Sequence, residues 1–409
     1  MKLNRVLLIL IVFSCIFLTG CAGETGVETK AFPIAIGVDV GDTNDLKLTF
    51  QIAILNSSSG GGSSSQGSSD QSSSIISVDC ATINSGITLV NSYISKKINL
   101  SHCKAIIISE ELAYNGVNDV IFSLVNNIEI RPDCNIIISR CDAYDMLKNS
   151  KPIFESNPAK YYELILNSAE YTGYVEDLYL RSFYSSILST TSQACAILGG
   201  INTSETHSSA PDSNFNLDDN YKADDTPIES KNNTEVLGTA VFREDKLVGE
   251  LNNIETLCHL IITNNLEGAT INMPNPFDFD TYISVYVHLN KPTTNKVELV
   301  NNTPYIESNV FLTGNVSSLD SSIDLTDPQN LDTLNNYIDS YLEQNILSYL
   351  YKTSRGFNSD IAEFGKHLLP NYLTWEDWLE SDWLNNYQNS FFSVDVHTEI
   401  QGGYLYTKI

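Results

Sequence analysis

Ser101 and Lys104 have the S-x-x-K spacing that lets a lysine assist a serine nucleophile in penicillin-interacting enzymes. Those enzymes also require S-D-N and K-T-G elements, and the sequence contains neither. Glu110 and Glu111 are adjacent, and adjacent residues of a helix point to different faces, so they do not form the paired carboxylates of acid–base catalysis. Their types fit the start of a helix, where the helix dipole favours acidic side chains. The sequence therefore predicts a protein that is not an enzyme.

Two adjacent pairs, His102–Cys103 and Cys258–His259, carry atoms that bind metal ions. Neither pair has the C-x₂-C or H-E-x-x-H spacing in which two side chains close on one ion. The paired aspartates between residues 218 and 225 lack the loop spacing of a calcium hand. We therefore expect no metal and no other cofactor.

The clearest chemical signal is a cysteine thiol at the end of an N-terminal apolar run. Lys2 and Arg5 precede about 13 apolar residues, which suits a secretory signal but is shorter than the roughly 20 that span a bilayer. The run ends in four residues that resemble the lipobox of bacterial lipoproteins: Leu18, Thr19, Gly20 and Cys21. In that family the thiol takes a diacylglycerol, the chain is cut just before it, and the new N-terminus is palmitoylated. The resemblance implies lipidation of Cys21; an ordinary signal peptide and an uncleaved anchor are the alternatives.

The charge excludes a nucleic-acid partner. The chain has 23 Lys and Arg against 50 Asp and Glu, a formal net charge of −27, so polyanions are repelled. An anionic lipid surface is repelled for the same reason. Membrane attachment is therefore expected to depend on the acyl chains at Cys21, which contribute about 0.8 kcal/mol per buried CH₂.

Six further cysteines follow Cys21 in the chain: Cys80, Cys103, Cys134, Cys141, Cys195 and Cys258. An exported protein can oxidise such cysteines to disulfides, and their irregular spacing leaves the pairing open. Several stand in apolar, strand-like runs such as SVDCAT and HCKAIII. This placement favours buried free thiols.

The elements that must position these residues alternate in the N-terminal half. Apolar runs predict strands at residues 31–40, 46–55, 75–82, 103–109 and 135–139. Apolar residues at helical spacing predict helices at residues 83–97, 117–127 and 143–149, and residues 158–198 are predicted to be mostly helical. The Ser/Gly-rich residues 57–74 have nothing apolar to bury and predict a flexible surface loop.

The C-terminal half predicts longer elements. They are a hairpin at residues 235–251, a short helix at 254–264, antiparallel strands at 277–290 and 296–319, a long helix at 327–356 and a last strand at 391–400. Asp327 followed by Pro328 is a favourable helix start. Together, the two halves predict an α+β protein with several domains, in which mixed and antiparallel sheets are covered by helices.

The composition also predicts domain boundaries, because the mature chain is too long for one ordinary core. The predicted parts are a signal peptide at residues 1–20, a lipidated tether at 21–30, an N-terminal α/β domain at 31–201, a polar linker at 202–234, and a C-terminal α+β domain of one or two subdomains at 235–409. The linker assignment depends on the Ser-, Asp- and Asn-rich composition of residues 202–234.

The order of motifs resembles the Ger(x)C lipoproteins, the C subunits of spore germinant receptors. The resemblance covers nearly the whole mature chain and rests on four stretches: HCKAIIISEELAYNGVNDVI, NNIEIRPDCNIIIS, LGTAVFREDKLVGEL, and SDIAEFGKHL with the tryptophans and SVDVHTEIQGG that follow it. The LGTAVFREDKLVGEL stretch, within residues 235–251, is the most specific. Two features depart from the family: Cys21 is followed by Ala-Gly where the family commonly has Trp-Asp, and the family's C-terminal lysines are replaced by uncharged and acidic residues.

This resemblance implies a lipid-anchored protein on the outer face of the spore inner membrane. Its partners would be the two integral-membrane subunits of the receptor, A and B, and the family brings no catalytic residues with it. Three tryptophans, Trp375, Trp378 and Trp383, are candidates for contact with a partner or for packing in the core. The first alternative function is a solute-binding lipoprotein of an importer, which predicts a two-lobed cleft. The second is a cell-wall hydrolase, for which no nucleophile or metal set is visible.

Overall fold

Two sheets, one of eight strands and one of four, organise the chain. The computed structural model describes residues 26–54, 73–155, 158–202, 220–318 and 323–401. The N-terminal strands are β1 Lys30–Ala31, β2 Pro33–Val40, β3 Leu46–Ala53, β4 Ser73–Cys80, β5 Lys97–Ile98, β6 Ala105–Ser109, β7 Asn135–Ser139, β8 Cys195–Ile201, β9 Thr234–Arg243 and β10 Lys246–Leu251. The strand order of the large sheet is β10-β9-β8-β7-β6-β2-β3-β4, and β1 pairs separately with β5.

The centre of the large sheet is parallel and buried on both faces. Strands β2, β6, β7 and β8 run parallel to their neighbours in this group. Every residue of AIIIS in β6 and of NIIIS in β7 is buried. Such short, continuous apolar runs are typical of a parallel strand that is covered by helices on both sides.

The described residues of the N-terminal half form seven helices, most of which cover this sheet. They are α1 Ile83–Tyr93, α2 Glu110–Asn115, α3 Asn118–Val125, α4 Ala143–Asn149, α5 Pro158–Leu166, α6 Ala169–Thr172 and α7 Leu180–Ile187. The helix α1 begins with a capping box, in which the side chains of Thr82 and Ser85 each bond to the other's backbone N–H. Its apolar face packs in the same core cluster as α3 and α7.

The second sheet carries long ribbons. Its strands are β11 Ala269–Asn275, β12 Asp278–Val300, β13 Thr303–Ser318 and β14 Phe391–Gln401, in the order β11-β12-β13-β14. The C-terminal helices are α8 Asn253–Thr263, α9 Pro328–Tyr351, α10 Phe364–Leu368, α11 Trp375–Glu380 and α12 Trp383–Asn386. Among the helices of the described ranges, none has both the length and the apolar composition that crossing a bilayer requires.

The long helix α9 covers the outer edge of β14, the last strand of the four-stranded sheet. Its side chains accept hydrogen bonds from alternate backbone N–H groups of that strand: Glu343 from Val396 at 3.3 Å, Asp339 from Thr398 at 2.7 Å, and Asn335 from Ile400 at 3.2 Å. Four residues of a helix rise about 6 Å and two residues of a strand about 6.7 Å, so the two repeats match. These acceptors occupy donors that an edge strand otherwise offers to another chain.

The predicted α+β class with mixed sheets is confirmed. Three local predictions differ from the structure: residues 195–201 form β8 at the end of the segment predicted to be mostly helical, the helix predicted for residues 83–97 ends at Tyr93 before β5, and β12 continues through the predicted gap at residues 291–295. The strand β11 was not predicted. The hairpin of β9 and β10 pairs with β8, so the large sheet extends beyond the predicted boundary at residue 235. The division into two domains stays a prediction.

Candidate functional site

A buried polar cluster lies where the N-terminal sheet meets α8 and α9. Glu176 is 8% exposed. Its Oε1 accepts a hydrogen bond from the Asn265 side chain at 3.0 Å, and its Oε2 lies 3.1 Å from Nε2 of His259. The other ring nitrogen of His259 lies 2.7 Å from the Tyr349 hydroxyl, and the Cys195 thiol lies 3.9 Å from Glu176 Oε2. We call these five residues the polar junction.

Local sequence holds His259 in place. It stands in α8, where nine of the 11 residues are buried. The helix begins with a capping box: Asn252 accepts from the Glu255 backbone N–H at 2.8 Å, and Glu255 accepts from the Asn252 N–H at 2.9 Å. Lys352 also binds Glu255, at 2.7 Å, and so fixes the start of α8 to the end of α9. The buried helix has little freedom to turn His259 away from Glu176.

The partners of Glu176 and Cys195 determine the direction in which each pKa is shifted. Burial raises the pKa of Glu176. The charge and hydrogen bond of His259 and the amide of Asn265 together lower this pKa by more than burial raises it, so it lies below its ordinary value. The carboxylate is therefore the stable form. Burial, followed by the nearby Glu176 charge, raises the pKa of the Cys195 thiol well above its ordinary value. Cys195 stays protonated, so it is not an activated nucleophile.

The polar junction also contains three residues of types that bind metal ions. The ligand atoms of Glu176, Cys195 and His259 all lie within 4.8 Å of one another. Both oxygens of Glu176 and both nitrogens of His259 already have hydrogen-bond partners. A metal would have to remove the proton of a thiol whose pKa is raised, and would compete with these bonds. The donor set fits a hydrogen-bonded structural contact better than a metal centre.

A second buried cluster lies next to the polar junction and is centred on Asp360. Its carboxylate accepts hydrogen bonds from the backbone N–H groups of Phe364 at 3.1 Å and Gly365 at 2.9 Å, and from the Trp383 indole at 2.9 Å. Burial is the largest cause that raises the pKa of Asp360 to about 6. A Cβ atom at Gly365 would lie 2.3 Å from the carbonyl oxygen of Thr191, so only glycine fits there. We call this set the Asp360 cluster.

The Asp360 cluster is attached to the N-terminal half of the chain. The backbone N–H of Gln193 donates to the Asp360 carbonyl at 2.9 Å. The Trp378 indole donates to the Thr190 hydroxyl at 2.9 Å. The segment that leads into β8 at Cys195 is therefore held by both clusters, and the two sheets share one continuous contact region.

The three candidate tryptophans have different environments. Trp378 and Trp383 are buried, 1% and 2% exposed, whereas Trp375 is 54% exposed. The first two pack in the C-terminal core. Trp375 is the one of the three that a partner can reach.

The other sequence candidates lie apart from these clusters. Ser101 lies 3.0 Å from the ring of its neighbour His102, whereas Lys104 pairs with Glu163 at 3.2 Å. Glu110 and Glu111 form the first turn of α2. Asp224 pairs with Arg140. The lipobox residues Leu18, Thr19, Gly20 and Cys21, together with Asp218, Asp219 and most of the Ser/Gly loop, lie outside the described residues.

The cysteines beyond Cys21 are free thiols in the structure. Four are buried, and Cys141 and Cys195 are half-buried. Cys103 and Cys134 approach each other to 3.7 Å between sulfur atoms, at the starts of β6 and β7.

An open groove of about 450 Å³ lies beside α5. Its wall is mainly apolar, with Phe154 94% and Ile228 60% exposed. All of its lining residues lie between positions 153 and 237. The solute-binding alternative predicts a cleft between two lobes, and this groove is not such a cleft.

Two models of known protein families match the chain, one in each half. The family model described as the spore germination protein N-terminal domain matches residues 24–203, and the model described as spore germination B3/GerAC like, C-terminal, matches residues 237–403. Within the polar junction, Glu176 and Cys195 belong to the first match, and His259, Asn265 and Tyr349 to the second.

Curated relatives match along almost their whole length. The putative spore germination protein YfkR of Bacillus subtilis is 21% identical over 97% of this chain and 96% of its own. The spore germination protein KC of the same organism is 22% identical over 96% and 94%. The spore germination protein GerQC of Bacillus cereus is 18% identical over 96% and 97%. The crystal structure of the GerBC protein is similar in fold, with a TM-score of 0.52, 15% identity, and coverage of 89% of this chain and 96% of that one.

Proposed function

Because the chain belongs to the GerAC-like family of spore germination proteins, we propose that it is the lipid-anchored C subunit of a nutrient germinant receptor. In this proposal the subunit works in germination beside two integral-membrane partners, the A and B subunits. It stands on the outer surface of the spore inner membrane and is held there by a diacylglycerol on Cys21. Its task is assembly and transmission of the signal, without a catalytic step of its own.

The observation that carries this proposal is the position of the polar junction. Glu176 comes from the N-terminal family match and His259 from the C-terminal one, and the contact between them is buried. Removing one partner of a buried hydrogen-bonded pair is unfavourable, because the polar group left behind stays buried without a partner. The two matched regions are therefore coupled mechanically, which suits a subunit that holds partners in a fixed arrangement.

The chemistry of the described residues agrees with a non-catalytic role. The thiol of Cys195 stays protonated, and the carboxylate of Glu176 is occupied by His259 and Asn265. Trp375 remains as the exposed aromatic candidate for a partner contact. Aromatic side chains of this kind supply much of the binding energy when a partner buries them.

The anchor is tested by labelling cells with palmitate and by analysing the N-terminal peptide of the mature protein. We expect label on the wild-type chain, cleavage before Cys21, and loss of label from the Cys21→Ala variant. The matched control is Cys15→Ala, which changes a cysteine of the same apolar run outside the lipobox and should keep the label. Unlabelled wild-type protein, or equal label on both variants, would show that Cys21 is not the anchor.

Receptor assembly needs a separate test. The chain with an affinity tag at its C-terminus should recover the A and B subunits from detergent-solubilised spore membranes. The Trp375→Ala variant should recover less of them than Glu376→Ala, an exposed neighbour in the same helical turn. Purification of wild-type chain free of both partners would contradict the proposed complex.

A further inference from the structure

The N-terminal tether joins the protein at one identifiable corner. The strand β1 pairs in parallel with β5, so that Lys30 stands opposite Lys97. The backbone N–H of Asn99 donates to the carbonyl of Ala31 at 2.9 Å and extends this pairing. Four residues separate Cys21 from Gly26, where the described chain begins, and the five steps from Cys21 to Gly26 reach at most about 17 Å. A lipid on Cys21 would keep this corner close to the bilayer surface.

Two large apolar side chains are exposed at the same corner. Ile128 is 99% exposed and Tyr93 is 82% exposed. Tyr93 ends α1, whose Asn91 side chain accepts a hydrogen bond from the N–H of Ile98 in β5 at 2.7 Å. An isoleucine that is almost fully exposed gains nothing from folding, because its apolar surface stays in water.

Glu129 places Ile128 beside the same strand. Its carboxylate accepts hydrogen bonds from the backbone N–H of Leu100 at 3.1 Å and from the Asn99 side chain at 3.3 Å. Asn99 and Leu100 directly follow β5. Ile128 is therefore held on one side of β5, and Tyr93 lies just before that strand in the chain.

The charge of this corner differs from that of the whole chain. Lys96 and Lys97 are exposed and Lys30 is partly exposed, whereas the chain carries a formal net charge of −27. Among the described residues, two acids stand close to this corner in the chain or by contact: Glu28, which is exposed, and Glu129, which is engaged in the hydrogen bonds described above. Lysines beside exposed aromatic and aliphatic residues are typical of surfaces that bind anionic headgroups and the outer acyl region. We call Lys30, Tyr93, Lys96, Lys97 and Ile128 the anchor corner.

We propose that the anchor corner is a membrane-contact surface, with Ile128 and Tyr93 in the headgroup layer and the three lysines against lipid phosphates. The occupant is the lipid bilayer itself, because the predicted lipidated cysteine lies within reach and the local charge is complementary to anionic lipid. The inference rests on the proposed anchor at Cys21. It adds an orientation to that anchor: β5 faces the membrane, and the remaining acidic surface is turned away from it.

The test uses the full mature chain, lipidated at Cys21, in vesicles of phosphatidylglycerol and phosphatidylethanolamine. A benzophenone amino acid is placed at Ile128 in one variant and at Leu373 in another. Leu373 is the matched control, because it is 98% exposed and stands in the C-terminal half. We expect photo-crosslinking to lipid at position 128 to exceed that at position 373 by about tenfold or more.

The outcomes separate this inference from the proposed anchor. Failure of the wild-type chain to float with the vesicles would overturn the anchor and the inference together. Flotation with equal lipid crosslinking at positions 128 and 373 would leave the anchor in place and overturn the inference alone. Crosslinking from position 128 only to protein, in native spore membranes, would show a protein partner there instead of lipid.

The lysines are tested by charge reversal in the same vesicles. The double variant Lys96→Glu, Lys97→Glu should reduce lipid crosslinking from position 128 severalfold. The control is Lys151→Glu, Lys231→Glu, which reverses two exposed lysines elsewhere and should leave the yield unchanged. Equal yields from the two double variants would contradict the contact between lysines and lipid phosphates.

Discussion

His259 Nε2 lies 3.1 Å from Oε2 of Glu176, and this contact joins residues that are 83 positions apart in the chain. The pair is completed on both sides, by Tyr349 next to the imidazole and by Asn265 next to the carboxylate. A buried pair with its remaining hydrogen bonds satisfied tolerates truncation poorly, because the partner left behind stays buried without compensation. The polar junction is therefore a specific point at which the two matched regions depend on each other.

The first prediction concerns the Glu176→Ala variant. It removes the carboxylate that His259 and Asn265 contact, and Glu176 itself is only 8% exposed. We expect the free energy of unfolding to fall by about 3–5 kcal/mol. The measurement is urea denaturation followed by tryptophan fluorescence and circular dichroism.

The control for that variant is Glu163→Ala. Glu163 also forms an ion pair, with Lys104 at 3.2 Å, but its side chain is 55% exposed. Surface pairs contribute about 0–1 kcal/mol, so this variant should stay close to the wild type. Equal losses in the free energy of unfolding would show that Glu176 in the polar junction contributes no more stability than a surface ion pair.

The second prediction concerns the glycine of the Asp360 cluster. Gly365→Ala adds a Cβ that would lie 2.3 Å from the carbonyl oxygen of Thr191 and 2.5 Å from the indole nitrogen of Trp383. The backbone must move, and the Trp383 bond to Asp360 is lost with it. We expect a loss of about 2 kcal/mol or more in the free energy of unfolding, as for overpacking with a broken buried hydrogen bond.

Gly356→Ala is the control for the same measurement. At that position the nearest atom to an added Cβ is the Lys352 side chain at 3.9 Å. Its free energy of unfolding, measured by urea denaturation, should change little. A free energy of unfolding for Gly365→Ala as high as that of Gly356→Ala would contradict the close packing of the Asp360 cluster.

The third prediction is a pH dependence. The pKa of Asp360 is raised from its ordinary value of 3.8 to about 6 in the folded protein, mainly by burial. A raised folded pKa means that the contribution of Asp360 to stability is fully present below about pH 3.8 and is lost as the pH rises to about 6. The loss is up to about 3 kcal/mol.

The Asp360→Asn variant isolates this effect, because it cannot ionise. At pH 4 the carboxyl of Asp360 is protonated and, like the amide of the variant, offers one carbonyl oxygen as an acceptor. We expect the wild type to lose stability relative to the variant between pH 4 and pH 6.5, because only the wild type ionises. A difference that stays constant over this range, measured by denaturant unfolding, would show that Asp360 titrates at its ordinary pKa.

The fourth prediction concerns the covered edge of β14. In the double variant Asp339→Ala, Glu343→Ala, the backbone N–H groups of Thr398 and Val396 lose their acceptors. Hydrogen bonds to charged groups contribute about 1.5–3 kcal/mol, so amide hydrogen exchange at Thr398 should accelerate about tenfold or more. Gln344→Ala, an exposed position of the same helix, serves as the control. Unchanged exchange in the double variant would mean that α9 does not protect this edge.

Much of the fold follows from apolar patterns within short stretches of sequence. The runs in β6 and β7 are wholly apolar in the middle and wholly buried. The long helix α9 shows the same relation, because Leu334, Ile338 and Leu342 stand at helical spacing and all three are buried. Each of these signals is local, because burial of a strand or a helix face imposes its own period on the residues.

The exceptions have physical reasons. The strand β8 contains two glycines and follows helical segments, so its seven residues show no strand period of their own. The polar junction was missed because Glu176 and Cys195 meet His259 only after the sheet and α8 have packed. Asp360 and Gly365 did stand in a recognised motif, but their bond to each other and to Trp383 needed the folded turn.

Germination itself tests the central claim most directly. Spores of the source organism that lack this gene are exposed to a panel of amino acids, sugars and salts, and dipicolinate release is followed. We predict loss of the response to one class of germinant with the others intact, restored by the wild-type gene and by Cys15→Ala but not by Cys21→Ala. Normal dipicolinate release to every germinant in the deletion spores would contradict the proposal that this chain is a lipid-anchored subunit of a germinant receptor.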